Sequence, residues 1–135
     1  MLYLLDTNHW IAFLKGFDKS LGVRIERTAS DQVVTCSIVR AELLHGAEKY
    51  GNRDARVQLI DQTIEPYKSF AFDDAAAAKY AGVRHSLEVI GKSIGPYDLQ
   101  IAAICLANDL VLVTGNTREY TRVGGLTLED WSSSA

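Results

Sequence analysis

Four apolar residues, Leu2-Tyr3-Leu4-Leu5, open the chain and end at the polar triplet Asp6-Thr7-Asn8. A run this short, apolar at consecutive rather than alternate positions, suits a strand buried on both faces of a parallel sheet. The signature returns at Val33-Val34-Thr35-Cys36, at Ser69-Phe70-Ala71-Phe72 and, most strongly, at Leu110-Val111-Leu112-Val113-Thr114. Leu126-Thr127-Leu128 reads as a last edge strand ahead of a polar tail, Trp131 to Ala135. Between these runs the pattern becomes helical. It predicts helices over Trp10 to Leu14, Leu21 to Ala29, Ile38 to about Tyr50, Arg53 to Ile64, Ala75 to Val89 and Tyr97 to Asn108. Strands alternating with helices predict an α/β fold whose parallel sheet is covered on both sides.

The punctuation agrees. Gly16 is placed to end the first helix in the left-handed conformation that glycine adopts freely. Thr7 or Asn8, Ser37, and the pair Asp73-Asp74 offer side-chain oxygens to the free N–H groups of the helices that follow. Ser30-Asp31 reads as a turn, Gly91, Gly95 and Pro96 break the chain, and Pro96 suits the start of a helix. Gly115 to Gly125 reads as a turn-rich loop, in which Thr117 to Tyr120 has room for one helical turn.

Length and composition narrow the class. At 135 residues the chain is expected to form one domain, residues 1–135, with a core that needs no disulfide or metal. Its 47% apolar and 23% charged residues exclude disorder over most of its length. A net charge of −3 argues against a protein that coats nucleic acid through bulk positive charge. A nuclease stays open, because clustered acids lower the formal charge and a bound cation restores it locally. Cys36 and Cys105 lie in apolar surroundings without a partner at metal-site spacing, so both are expected as buried thiols. The N-terminus lacks a basic leader and no apolar run approaches membrane-spanning length, so the expected location is the cytoplasm, away from membranes.

Three acids occupy positions where surface acids do not belong. Asp6 ends the first strand. Glu42 follows Ile38 and Val39 at helical spacing, and Asp98 precedes Ile101, Ala102 and Cys105 in the same way. A carboxylate turned towards apolar surroundings costs several kcal/mol unless a cation, hydrogen bonds or protonation compensates it. Singly, Asp6 reads as a helix cap and Asp98 as a partner of a helix dipole. Together they fall at the carboxyl edge of a doubly wound sheet, where such folds bind ligands. Crowded acids with oxygen ligands imply Mg²⁺, with Mn²⁺ as substitute, and such a cation activates water for attack on a phosphate.

In that setting the motifs resemble those of the PIN-domain ribonucleases: Asp6-Thr7-Asn8, Ser37 with Arg40-Ala41-Glu42-Leu43 and Gly46, Asp98 with Ile101-Ala102-Ala103, and Leu112-Val113-Thr114-Gly115-Asn116. The ending Asn116-Thr117-Arg118-Glu119-Tyr120, with Val123-Gly124-Gly125-Leu126 and Trp131, resembles the VapC toxin branch of bacterial type II toxin–antitoxin pairs. The resemblance covers almost the whole chain. It implies a three-layer α/β/α sandwich around a mostly parallel sheet of four or five strands. It implies a Mg²⁺-dependent endoribonuclease that leaves a 5′-phosphate and a 3′-hydroxyl, in a family where several members cut tRNA in the anticodon stem-loop. It also implies a VapB-like antitoxin lying in the active-site groove, and a homodimer within a toxin–antitoxin hetero-oligomer. Asp6, Glu42 and Asp98 match the family's metal ligands. Many members carry an acid at or near position 116, where this chain has Asn116; Glu119 is then expected to supply the outer charge and Asn116 the positioning.

Other readings compete. Metal-free cleavage would need a histidine pair; His45 shares a helix side with Glu42, while His9 and His85 are expected at a surface or interface. Arg40, Arg118 and Arg122, with Lys92, are candidate phosphate contacts. Trp10 and Phe13 are expected in the core or a dimer contact rather than under a base. A receiver domain also gathers acids at a sheet edge, but it wants an acidic pair after the first strand, whereas Asp73-Asp74 follows the third. A catalytically silent PIN fold that only binds RNA or a partner is the main alternative.

Overall fold

The structure is a computed structural model that describes residues 1–132. Its five strands are β1 (Tyr3–Leu5), β2 (Val33–Cys36), β3 (Lys68–Phe70), β4 (Val111–Val113) and β5 (Leu128–Glu129). They form one sheet in the order β3-β2-β1-β4-β5, and every pairing is parallel. All residues of β2 and β4 are buried although successive side chains point to opposite faces, so both faces of the central sheet are covered. The helices are α1 (Thr7–Lys15), α2 (Lys19–Arg27), α3 (Ser37–Lys49), α4 (Arg53–Ile64), α5 (Asp74–Val89), α6 (Pro96–Asn108) and α7 (Thr117–Tyr120). The core joins Leu4, Leu5, Val33, Val34 and Leu112 of the sheet to Trp10, Val39, Leu43, Ile101 and Ile104 of the helices. Among the described residues no helix is long and apolar enough to cross a membrane.

Strand β1 lies at the point where the strand order reverses, with β2 on one side and β4 on the other. Crossovers leaving to opposite sides open a crevice at the carboxyl ends of β1 and β4. The backbone carries both strands to that edge together: the Asp6 N–H donates to Val113 O at 2.9 Å, and the Thr114 N–H to Glu129 O at 2.9 Å.

Several local expectations are corrected. Asp6 itself, not Thr7 or Asn8, caps α1, and Ser37 is the first residue of α3 rather than its cap. Strand β3 ends at Phe70 rather than Phe72, because the Phe72 N–H turns to the Ser37 hydroxyl at 3.3 Å. The last strand is Leu128–Glu129 rather than 126–128, since the Leu126 N–H bonds back to Val123 O. In the loop after β4, Thr117–Tyr120 does form one helical turn, α7. Gly16 does end α1 with φ 68°, and Asp73 caps α5. The thiols are free and buried; burial pushes Cys36 up to about 11 and raises Cys105 as well.

Trp131, expected in a polar tail, is buried; 133–135 of that tail lie outside the described residues. Its ring centroid lies 5.3 Å from that of Tyr3, the Arg24 guanidinium stands 4.7 Å above it, and its N–H donates to Glu129 at 3.0 Å. The indole thereby clips the last strand over the start of the first. Trp131→Ala is expected to cost about 3 kcal/mol through the cavity it leaves, measured by urea denaturation, whereas a loss within experimental error would show the clip to be dispensable.

Candidate active site at the carboxyl edge

The crevice at the strand-order reversal is a groove of about 530 Å³ lined by Asp6, Thr7, Asn8, Ile11, Ile38, Ala41, Glu42, His45, Tyr97 and Asp98. Asp6 is 7% exposed and divides its two oxygens. One accepts the His9 N–H at 3.0 Å, which caps α1; the other accepts the Thr114 hydroxyl. Thr114 Oγ1 accepts in turn from the Asn116 N–H at 3.0 Å, so the end of β1 is tied to the loop after β4. The Thr7 hydroxyl donates to Glu42 Oε1 at 2.7 Å and joins α1 to α3. On α3 the core face is Val39, Leu43 and Ala47; Glu42 shares the flank of Ile38, Ala41 and His45, which borders the groove rather than the core.

Asp98, in the first turn of α6, is half-buried. Burial raises its pKa most; a hydrogen bond from Tyr120 opposes the shift, and the charges of Glu42, Glu119 and Asp6 raise it further. Tyr120 is itself buried, and that burial with the charge of Asp98 raises its pKa, so it remains a neutral donor. Asn116 donates to Glu119 Oε2 at 2.7 Å and holds that acid rather than Asp98. Asp6, Glu42, Asp98 and Glu119 therefore come from four separate segments into electrostatic contact around Asp98.

Among the described residues no lysine or arginine pairs with any of these four acids. Nor, among the described residues, do three or more acidic, histidine or cysteine side chains stand close enough together to hold a metal ion as they are placed. An open set of carboxylate oxygens with uncompensated charge fits a hard divalent cation that keeps several of its waters. Asp6, Glu42 and Asp98 are the acids that line the groove itself; Asn116 and Glu119 do not line it, and Glu119 acts on Asp98 through its charge.

Other candidates fall elsewhere. Arg40 pairs with Asp61 at 2.9 Å on the far flank of α3, in a separate depression of about 600 Å³ lined also by Arg53, Gln58 and Tyr67. Arg118 is exposed, Arg122 reaches the Ser93 carbonyl at 3.4 Å, and neither lines the groove. His9, expected at a surface or interface, is buried beneath Gly115, with Nδ1 3.7 Å from Asp6 and Nε2 3.4 Å from Asp130. His45 is exposed along the groove, and His85 is exposed on α5. Trp10 is wholly buried in the core. Sequence reasoning missed the roles of Thr114 and Tyr120, and it passed over Tyr97.

The PIN domain model matches residues 3–126. The chain is 34% identical to a tRNA(fMet)-specific endonuclease VapC from Shigella flexneri, covering 96% of this chain and 98% of that one. It is 32% identical to the protein of the same name from Salmonella typhimurium, over 96% and 97% of the two chains. The crystal structure of VapBC2 from Rickettsia felis bound to a promoter DNA fragment superposes with a TM-score of 0.91 at 30% identity, over 98% of this chain and all of that one. With the family model spanning nearly its whole length and relatives of this similarity at full coverage, the chain belongs to the PIN-domain family, in its VapC ribonuclease branch.

Proposed function

We propose that this chain is the toxin of a type II toxin–antitoxin pair, an endoribonuclease that hydrolyses RNA phosphodiesters in the acid groove with Mg²⁺, or Mn²⁺ in its place. The observation that carries the reading is the convergence of four acids without a lysine or arginine partner at the strand-order reversal. Asp6, Glu42 and Asp98 would hold the cation, which when bound supplies the charge that activates water and offsets the negative phosphate. Water adds to phosphorus and the 3′ oxygen departs, leaving a 5′-phosphate and a 3′-hydroxyl. Thr114, Thr7 and Tyr120 hold the three carboxylates as neutral donors, orienting their oxygens without cancelling their charge. Residues 1–135 act as one nuclease unit, working in the cytoplasm.

An RNA substrate, tRNA among the candidates, agrees with the name of the Shigella relative, and a VapB-like antitoxin with the VapBC complexes the fold resembles. The chain also offers such a partner a surface. A mostly apolar channel of about 360 Å³, lined by Leu14, Leu43, Ala47, Tyr50 and Leu59 with Lys15 and Arg56 beside them, adjoins the acid groove through Ile11 and Glu42. An antitoxin segment with apolar side chains in the channel and an arginine in the acid cluster would block both substrate and cation.

RNA cleavage by antitoxin-free protein is expected to need Mg²⁺ or Mn²⁺ and to stop in chelator. Asp6→Asn and Asp98→Asn are each expected to lower it by at least about a hundredfold, since each removes charge at the cation. Asn keeps one oxygen for capping at position 6 but loses the one that accepts the Thr114 hydroxyl, so the fold of Asp6→Asn is checked by circular dichroism; expression of the wild type but not of Asp6→Asn should arrest bacterial growth. Undiminished cleavage in chelator would instead support a histidine mechanism, and no cleavage at all would support the silent module.

A second measurement concerns the outer pair. If Asn116 positions Glu119 and Glu119 adds field to the site, Glu119→Gln needs more Mg²⁺ for half-maximal cleavage. Asn116→Asp, adding charge, needs the same or less. A Mg²⁺ titration of Glu119→Gln that overlays the wild type would remove Glu119 from the site.

A further inference from the structure

The groove walls carry an aromatic group with no work inside the chain. Tyr97, the second residue of α6 and the neighbour of Asp98, is 59% exposed. Its side chain has no hydrogen bond and no ring partner among the described residues. Of the large apolar side chains left exposed, Tyr97 is the one that lines the acid groove. Ile11 and Ile38 add apolar surface to the same groove, and the exposed Asn8 amide and His45 imidazole add hydrogen-bonding groups without partners among the described residues.

The charge distribution gives this ring a task. A net charge of −3 and a groove of acids repel a phosphate backbone before any cation is bound. Arg40, Arg118 and Arg122 all lie outside the groove lining. Beyond the charge that a bound cation would offset, affinity near the cut can draw on uncharged contacts, and an exposed aromatic face supplies one to any base that is free of its helical neighbours. A paired base already has both faces covered, so the contact selects unpaired RNA.

We infer that Tyr97 is a specificity-determining residue: an unpaired base beside the scissile phosphate stacks on its ring, with Asn8 and His45 lining the same subsite at the base edge. This rests on the groove being the RNA-cleaving site. The ring acts on binding and not on the chemical step.

The test uses an RNA stem-loop that the wild-type protein cuts at one mapped loop position, with an abasic nucleotide placed in turn on either side of the cut. With the wild type, one abasic position is expected to lower kcat/KM about tenfold, mainly through KM, the size of one base–aromatic stack. Tyr97→Ala should show a similar loss on intact RNA and no further loss on that abasic RNA. Tyr97→Phe, which keeps the ring, should still distinguish the two substrates. Equal abasic penalties in the wild type and Tyr97→Ala would overturn the inference while leaving the cleavage reading standing. So would Tyr97→Ala cutting intact RNA as well as the wild type, including the case where it has lost affinity for an antitoxin or a second copy. Failure of the wild type to cut any RNA with Mg²⁺ would overturn both.

Discussion

Repulsion among four carboxylates governs the carboxyl edge of this molecule. Asp6, Glu42 and Glu119 each act on the half-buried Asp98, whose pKa rises through burial and through their charge. A fold usually relieves such crowding with an arginine or lysine. Here the side chains that touch the acids are three hydroxyls, an amide and one imidazole: Thr7 on Glu42, Thr114 on Asp6, Tyr120 on Asp98 and Asn116 on Glu119, with His9 Nδ1 3.7 Å from Asp6. Neutral donors fix direction and leave charge in place. That combination costs stability in the absence of a counter-ion and prepares the edge to receive one.

The fold supplies the crowding through its topology. Reversal of strand order between β1 and β4 brings the ends of two strands and the starts of α1, α3 and α6 to one place. Asp6 serves both levels at once, since one oxygen caps α1 and the other receives Thr114 from β4. The last strand, clipped by Trp131, supports β4 from its outer side and thereby holds Thr114.

Much of this was legible in the sequence, and the reasons for the exceptions are specific. Buried strands announce themselves as short apolar runs, and Asp6, Glu42 and Asp98 stood out because a carboxylate beside such a run needs an explanation. The ends of β3 and β5 were misread because apolar pattern does not encode register; Ser37 and Val123 decide where those strands stop. Thr114 and Tyr120 escaped notice because their partners are distant in sequence: Thr114 reaches Asp6 across 108 residues. Helix α7 is too short to show a period. Arg40 looked available until Asp61, on another helix, engaged it, and His9 looked exposed until Gly115 and Asp130 closed over it.

Thermal denaturation of the antitoxin-free protein across a Mg²⁺ titration, at neutral pH and constant ionic strength, tests the central claim most directly. Binding to the folded state alone stabilises it by RT ln(1 + L/Kd), with L the free ligand concentration, so the melting temperature keeps rising with ligand concentration even past saturation. The account predicts that wild-type Tm starts low in chelator and climbs with Mg²⁺. Asp98→Asn, relieved of one repelling charge, should start higher and respond weakly. Identical curves for the two proteins, or a wild type indifferent to Mg²⁺, would contradict it.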